Sequence, residues 1–177
     1  MACPRCRVVP DAHSFTYFGL IGDIHYYYSS PTKARDYKEG PETLTNYTMH
    51  LDYVKGQKWA WIIDCKGMKI NHYPSLDLVS KLTKNLAEKH RDFLTMIYIV
   101  HPNVWIQNSI KLWKKVVPYG NIQKVTILEG DKLELLVSLK KADINGEPLI
   151  WLMNVFKMPD EPCFLPDVPP SGGQALY

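Results

Sequence analysis

Between residues 96 and 128 the chain changes its hydrophobic period twice. Residues 97–100 are continuously apolar and rich in β-branched side chains, which suits a buried strand. Pro102 ends it, because proline has no N–H for the ladder and biases His101 away from helical backbone. Across residues 103–117 the spacing becomes helical. Trp105, Ile106, Ser109, Ile110, Trp113, Val116 and Val117 gather on one side, with Lys111, Lys114 and Lys115 opposite. Pro118 and Gly120 stop this helix, and residues 125–128 return to strand. A helix of this kind covers a sheet or forms the lid of an apolar pocket.

The same reading extends to either side. Residues 14–28 are aromatic and β-branched enough for a strand pair, with Gly19 and Gly22 near the bend. After a polar loop at 29–40, Pro41 opens a helix that aligns Leu44, Tyr47, Leu51 and Val54, and Gly56 stops it. The run WAWII at 59–63 is short and unbroken, as in a central strand covered on both faces, and Asp64 begins the next turn. Ser75 caps a helix with Asp77 in its first turn and Leu76, Val79, Leu82 and Leu86 on one stripe. Residues 131–139 form the last clear helix, and residues 149–156 suit strand or helix equally. This alternation predicts an α/β layer fold, a mixed and largely parallel sheet flanked by helices with right-handed crossovers. A single domain over 1–177 is expected, with its core at 14–158 and a Pro-rich tail at 159–177.

Composition narrows the function classes. A chain of 177 residues can bury a core without disulfides or metal, and a net charge of +3 is too slight to imply nucleic acid. The four cysteines show no regular spacing, so a reducing, cytoplasmic setting is expected, with peripheral contact to membranes allowed. The first thirty residues lack the apolar run of a signal peptide. Residues 93–110 carry no Lys, Arg, Asp or Glu, yet His101, Pro102, Asn103, Gln107 and Asn108 argue against a membrane span. Cys3 and Cys6 form a lone CxxC. Zinc needs about four ligands, and the nearest completing residues are His13 and His25, so this end is read as frayed and no metal is expected. Cys65 reads as a small core residue.

Catalytic patterns are not apparent. His72, His90 and His101 lack metal-ligand spacing, and Cys65, Asp64 and His72 do not make a nucleophile and base set. His101 is expected to bond backbone at its strand end. Gly19 and Gly22 are too few for a phosphate loop. The chain is therefore expected to be no enzyme and to need no cofactor.

Residues 98–102, YIVHP, precede an aromatic-rich helix, a proline, and then Gln123, Lys124 and Val125 ahead of a strand. This order resembles the CRAL-TRIO lipid-binding family, and the HP pair is closest to the divergent branch that includes the BCH-type domains. WAWIIDCKGM at 59–68 is similar to that family's strand ending in Asp with a following Gly, and the helix at 75–91 sits where the family has one. Leu165 and Pro166 with Gly172 and Gly173 are similar to its terminal element. The resemblance spans roughly residues 59–173 and rests on the order of the motifs.

It implies a CRAL-TRIO-like lobe whose sheet floors an apolar cavity and whose amphipathic helix, here 103–117, gates it. Trp105, Ile106, Ile110, Trp113 and Val117 would then be pocket wall and gate, although their spacing alone equally fits plain core. In the phosphoinositide-binding members an acid before the gate strand and a Lys before the next strand hold the headgroup, and these positions match Asp92 and Lys124. Asp is shorter than the family's Glu, and His90 and Arg91 stand where the family has Tyr-Pro. The helical bundle that precedes the domain in many members is not expected within this sequence.

Two functions follow from the resemblance. One is a lipid-binding or lipid-transfer module: enclosing one long acyl chain gains on the order of 10 kcal/mol before ordering costs. Lys111, Lys114 and Lys115 would meet a transient anionic membrane surface at about 1 kcal/mol per charge. The other is a BCH-type scaffold for small GTPases or their regulators, with Trp105 and Trp113 filling a solid core.

Overall fold

The computed structural model describes residues 3–10, 12–35, 40, 42–116 and 123–157. Among them the order is α1 (Pro4–Val8), β1 (Thr16–Ile21), β2 (Ile24–Ser29), α2 (Thr43–Asp52), β3 (Trp59–Asp64), a 3-10 turn at Ile70–His72, α3 (Leu76–Lys89), β4 (Leu94–Val100), α4 (Val104–Val116), β5 (Val125–Leu128), α5 (Lys132–Lys141) and α6 (Gly146–Phe156).

The strands lie side by side in chain order. β1 and β2 are antiparallel, joined through Gly22, whose φ of 59° suits the first position of a tight hairpin turn. The pairings of β2 with β3, β3 with β4 and β4 with β5 are parallel. Each parallel step needs a crossover, and α2, α3 and α4 supply them. Crossovers of one hand, stepping always in the same direction, put all three helices on one face of the sheet. The expected α/β layer fold with a largely parallel sheet is therefore present.

Strand periodicity divides the core in two. On β3 the side chains of Trp59 and Trp61 join Leu51 of α2, Leu86 of α3 and Ile110 of α4, while Ala60 and Ile62 join Leu135 and Leu139 of α5 and Leu152 and Phe156 of α6. An unbroken apolar run is what a strand buried on both faces requires. Ser75 Oγ accepts from the Leu78 N–H at 3.1 Å and starts α3, as expected. Asp131 starts α5 with a reciprocal capping box to Glu134.

Several expectations change. Residues 149–156 are helix, part of α6, because Leu149, Leu152, Met153 and Phe156 at helical spacing close the second face of the sheet. Leu76 is exposed at the start of α3, whose buried stripe runs instead through Leu78, Val79, Thr83 and Leu86. The CxxC segment is not frayed: Pro4–Val8 form α1, and Cys3 is only 1% exposed, with Ala12 and His13 also buried. Pro41, Val117, Pro118, Gly120, the tail at 159–177 and its Leu165, Pro166, Gly172 and Gly173 lie outside the described residues.

Candidate functional site

Between the sheet and α2 to α4 lies a cavity of about 170 Å³. Trp61, Ile97, Ile99 and Val125 form its floor, alternate residues of three adjacent strands that therefore share a face. Leu78, Leu82 and Leu86 of α3 make one wall, and Tyr47 of α2 stands at another. Ile106, Ile110 and Trp113 of α4 form the cover.

The few polar groups in this lining are already bonded. Trp61 Nε1 donates to Ser29 Oγ at 2.9 Å, and Thr83 Oγ1 donates to the Val79 carbonyl. Burial, followed by the nearby Asp64 charge, pushes the Cys65 thiol up to about 12, so it is no nucleophile at neutral pH. A space with satisfied polar groups and apolar walls accepts an apolar guest and offers nothing to a charged one.

Both ends of α4 are tied down. At its start Asn103 Oδ1 accepts from the Ile106 N–H at 3.0 Å and from the Tyr73 hydroxyl at 2.6 Å, while Asn103 Nδ2 donates to the Met68 carbonyl at 3.3 Å. The helix cap thus doubles as a latch to the 65–74 loop. At its far end Lys114 Nζ donates to the Val125 carbonyl of edge strand β5 at 2.6 Å. The sequence reading treated residue 103 as the helix start but missed the latch, since Tyr73 lies thirty positions away.

The expected gate residues divide. Ile106 and Ile110 are 5% and 4% exposed and face the cavity, and Trp113 lines it half-buried. Trp105 does not: it is 74% exposed, because one step of about 100° from buried Ile106 turns it outward. Lys111 and Lys115 are exposed beside it, whereas Lys114 is half-buried at β5. Trp105, Leu112 and Val116 form an exposed apolar strip of α4, and Val104, Lys111 and Lys115 an exposed strip next to it.

Asp92 and Lys124 come near the same end of the sheet but share no hydrogen bond or ion pair. Lys124 Nζ donates to the carbonyls of Arg91 and Leu94, stitching β5 to the turn before β4, and Asp92 is exposed. The neighbouring His90 ring is fully buried against Trp59.

His101 bonds a side chain, contrary to the expected backbone contact. Its Nδ1 lies 2.9 Å from Asp64 Oδ1, which also accepts from the Lys66 N–H at 3.0 Å, while Tyr28 donates to Oδ2 at 2.7 Å. Burial acts to raise Asp64, but the bonds from His101, Tyr28 and Lys66 outweigh it and hold the carboxyl below its ordinary value. Burial, then the Asp64 charge, pushes the Tyr28 hydroxyl up. This network fastens the ends of β2, β3 and β4 and presents no nucleophile.

Among the described residues no helix is long and apolar enough to cross a membrane. A family model described as divergent CRAL/TRIO domain matches residues 27–158, from within β2 to just past α6. No curated protein matches the chain.

Proposed function

The chain belongs to the divergent CRAL/TRIO family, a lipid-binding and lipid-transfer type of module, and from that premise we propose that it carries an apolar lipid chain beneath α4 and exchanges it at an anionic bilayer. The cavity carries this reading. Domains of the family are generally non-catalytic, and the proposal includes no reaction.

Size determines how such a module would work. A cavity of about 170 Å³ is close to the ~150 Å³ engineered space that takes up benzene. Six carbons at about 0.8 kcal/mol each gain about 5 kcal/mol, roughly half the return on a long chain. A complete acyl chain therefore needs α4 to move outward. The Asn103 to Tyr73 latch and the Lys114 to Val125 bond are the contacts that movement breaks.

The outer face of α4 gives that movement a trigger. Trp105, Leu112 and Val116 would enter the interfacial region while Lys111 and Lys115 meet anionic headgroups. Lipid contact on the outer face and cavity opening on the inner face then belong to one helix. We propose no phosphoinositide selectivity through Lys124, which already donates to two carbonyls. A BCH-type scaffold would have this interior filled, and the cavity favours a ligand instead.

The test is solvent extraction and native mass spectrometry of the purified chain, followed by fluorescent-lipid uptake. Bound lipid, and uptake lowered at least about tenfold (1.4 kcal/mol) by Ile110→Trp, are expected. Bare protein that takes up no lipid would overturn the reading.

A further inference from the structure

Outside the cavity, four side chains from three separate segments converge on one point. Cys3 caps the start of α1 and Cys6 lies within it, His13 comes from the segment leading into β1, and His50 from α2. One sulfur or ring nitrogen from each lies within 4.8 Å of all the others. His13 Nδ1 is 3.3 Å from His50 Nε2, 3.5 Å from Cys3 Sγ and 3.3 Å from Cys6 Sγ, and Cys6 Sγ is 3.4 Å from His50 Nε2.

Hydrogen bonding does not account for this arrangement. An imidazole nitrogen carries one proton or one lone pair, yet His13 Nδ1 faces three polar atoms at once. A cation at the centre satisfies all four groups together. With metal–sulfur bonds of about 2.3 Å and metal–nitrogen bonds of about 2.0–2.1 Å, a tetrahedral site spaces its nitrogens about 3.4 Å apart and nitrogen from sulfur about 3.5 Å. The four observed separations match that figure.

The amino-terminal segment also needs an anchor. α1 has five residues and buries none of them, so neither its length nor apolar packing holds it in place. Cys3, immediately before it, is nevertheless buried, with its sulfur accepting the Cys6 N–H at 3.4 Å. His50 is likewise buried, with its Nε2 turned into the cluster.

We propose that Cys3, Cys6, His13 and His50 form a closed tetrahedral zinc site that staples the amino-terminal segment to α2. Two sulfurs and two nitrogens in this geometry select zinc. Four protein ligands leave no open position, so the ion is structural. Coordination replaces the two thiol protons, which leave to solvent. Tyr47 stands one turn before His50 on α2, touches the cavity, and has its ring centroid 5.9 Å from that of His13. The staple thus braces the wall that bears Tyr47. His25, the sequence-nearest alternative, sits in β2 paired with Trp59 and takes no part. Three of the four ligands precede the family-matched residues 27–158 and His50 lies within them, so the staple ties the preceding segment to the matched region.

The full chain, purified under reducing conditions with any affinity tag removed, should contain roughly one zinc per molecule by elemental mass spectrometry. Cobalt(II) exchanged into it should give the visible bands of tetrahedral S2N2 coordination. Cys6→Ser and His50→Ala should lose the metal, and His25→Ala should keep it. Should the ligand variants fail to fold, chelation of the wild type decides: the melting temperature should fall and zinc should restore it. Less than about a tenth of an equivalent after incubation with zinc, no cobalt bands, or a Cys3–Cys6 disulfide persisting in reductant would overturn the proposal.

Discussion

The Asp64 carboxylate and the His101 ring meet at 2.9 Å across the carboxyl ends of β3 and β4. Asp64 is only 1% exposed, so each lost partner leaves a buried acceptor short of a donor. His101 holds a left-handed φ of 51°, a backbone that Asn tolerates better than most residues. His101→Asn therefore isolates the side-chain bond from backbone strain. It should lower unfolding stability by about 1–3 kcal/mol in urea titrations. Unchanged stability would mean that Tyr28 and the Lys66 N–H hold the carboxylate unaided.

The same carboxylate makes stability depend on acid. Its folded pKa is below the ordinary value, so its contribution is fully present above the unfolded value of about 3.9 and is lost as pH falls through the folded one. Thermal melts of wild type and Asp64→Asn should differ most above about pH 4 and converge below it. A constant gap from neutral pH into strong acid would show that the charge of Asp64 is not what stabilises the fold.

Local periodicity explains which parts were legible beforehand. β3, α3 and α4 announce themselves because a buried strand and a one-sided helix each leave a repeat in neighbouring residues. α6 does not, since an almost uniformly apolar stretch lacks the polar contrast that separates a period of two from 3.6. Trp105 sits at the edge of its helix's apolar sector, where one position decides inside from outside. Of the proposed zinc ligands, Cys3, Cys6 and His13 stand close together in the chain and were legible, whereas His50 was not. His50 is 44 residues from Cys6, and His25, far closer in sequence, points to the wrong partner. Sequence spacing finds clusters within one element, whereas this one is assembled by docking α1 on α2.

The latch of α4 should control entry kinetics more than affinity. Tyr73→Phe removes the hydroxyl that donates to Asn103 Oδ1 and leaves the aromatic ring in the cavity wall. One hydrogen bond is worth about 0.5–1.5 kcal/mol net. Stopped-flow uptake of a fluorescent lipid should then be about two- to tenfold faster, with the bound fraction at equilibrium little changed. Equal rates in the two proteins would place the entry route away from this end of the helix.

The proposed bilayer docking should separate the three lysines of α4. Lys111 and Lys115 are exposed on the strip next to the one that carries Trp105, whereas Lys114 is held at the Val125 carbonyl. Each exposed lysine is worth about 1 kcal/mol against a negative leaflet. Replacing both by Gln should weaken binding to anionic vesicles by about thirtyfold, an effect that shrinks as salt screens the surface. Lys114→Gln should instead leave vesicle binding near wild type and loosen the end of α4, raising lipid exchange. Trp105→Ala should reduce binding to neutral vesicles as well, because its loss is apolar and insensitive to salt. Co-sedimentation across a salt series distinguishes these outcomes. Equal losses from all three lysines would assign the attraction to overall charge, and α4 would then lose its role as the membrane-facing gate.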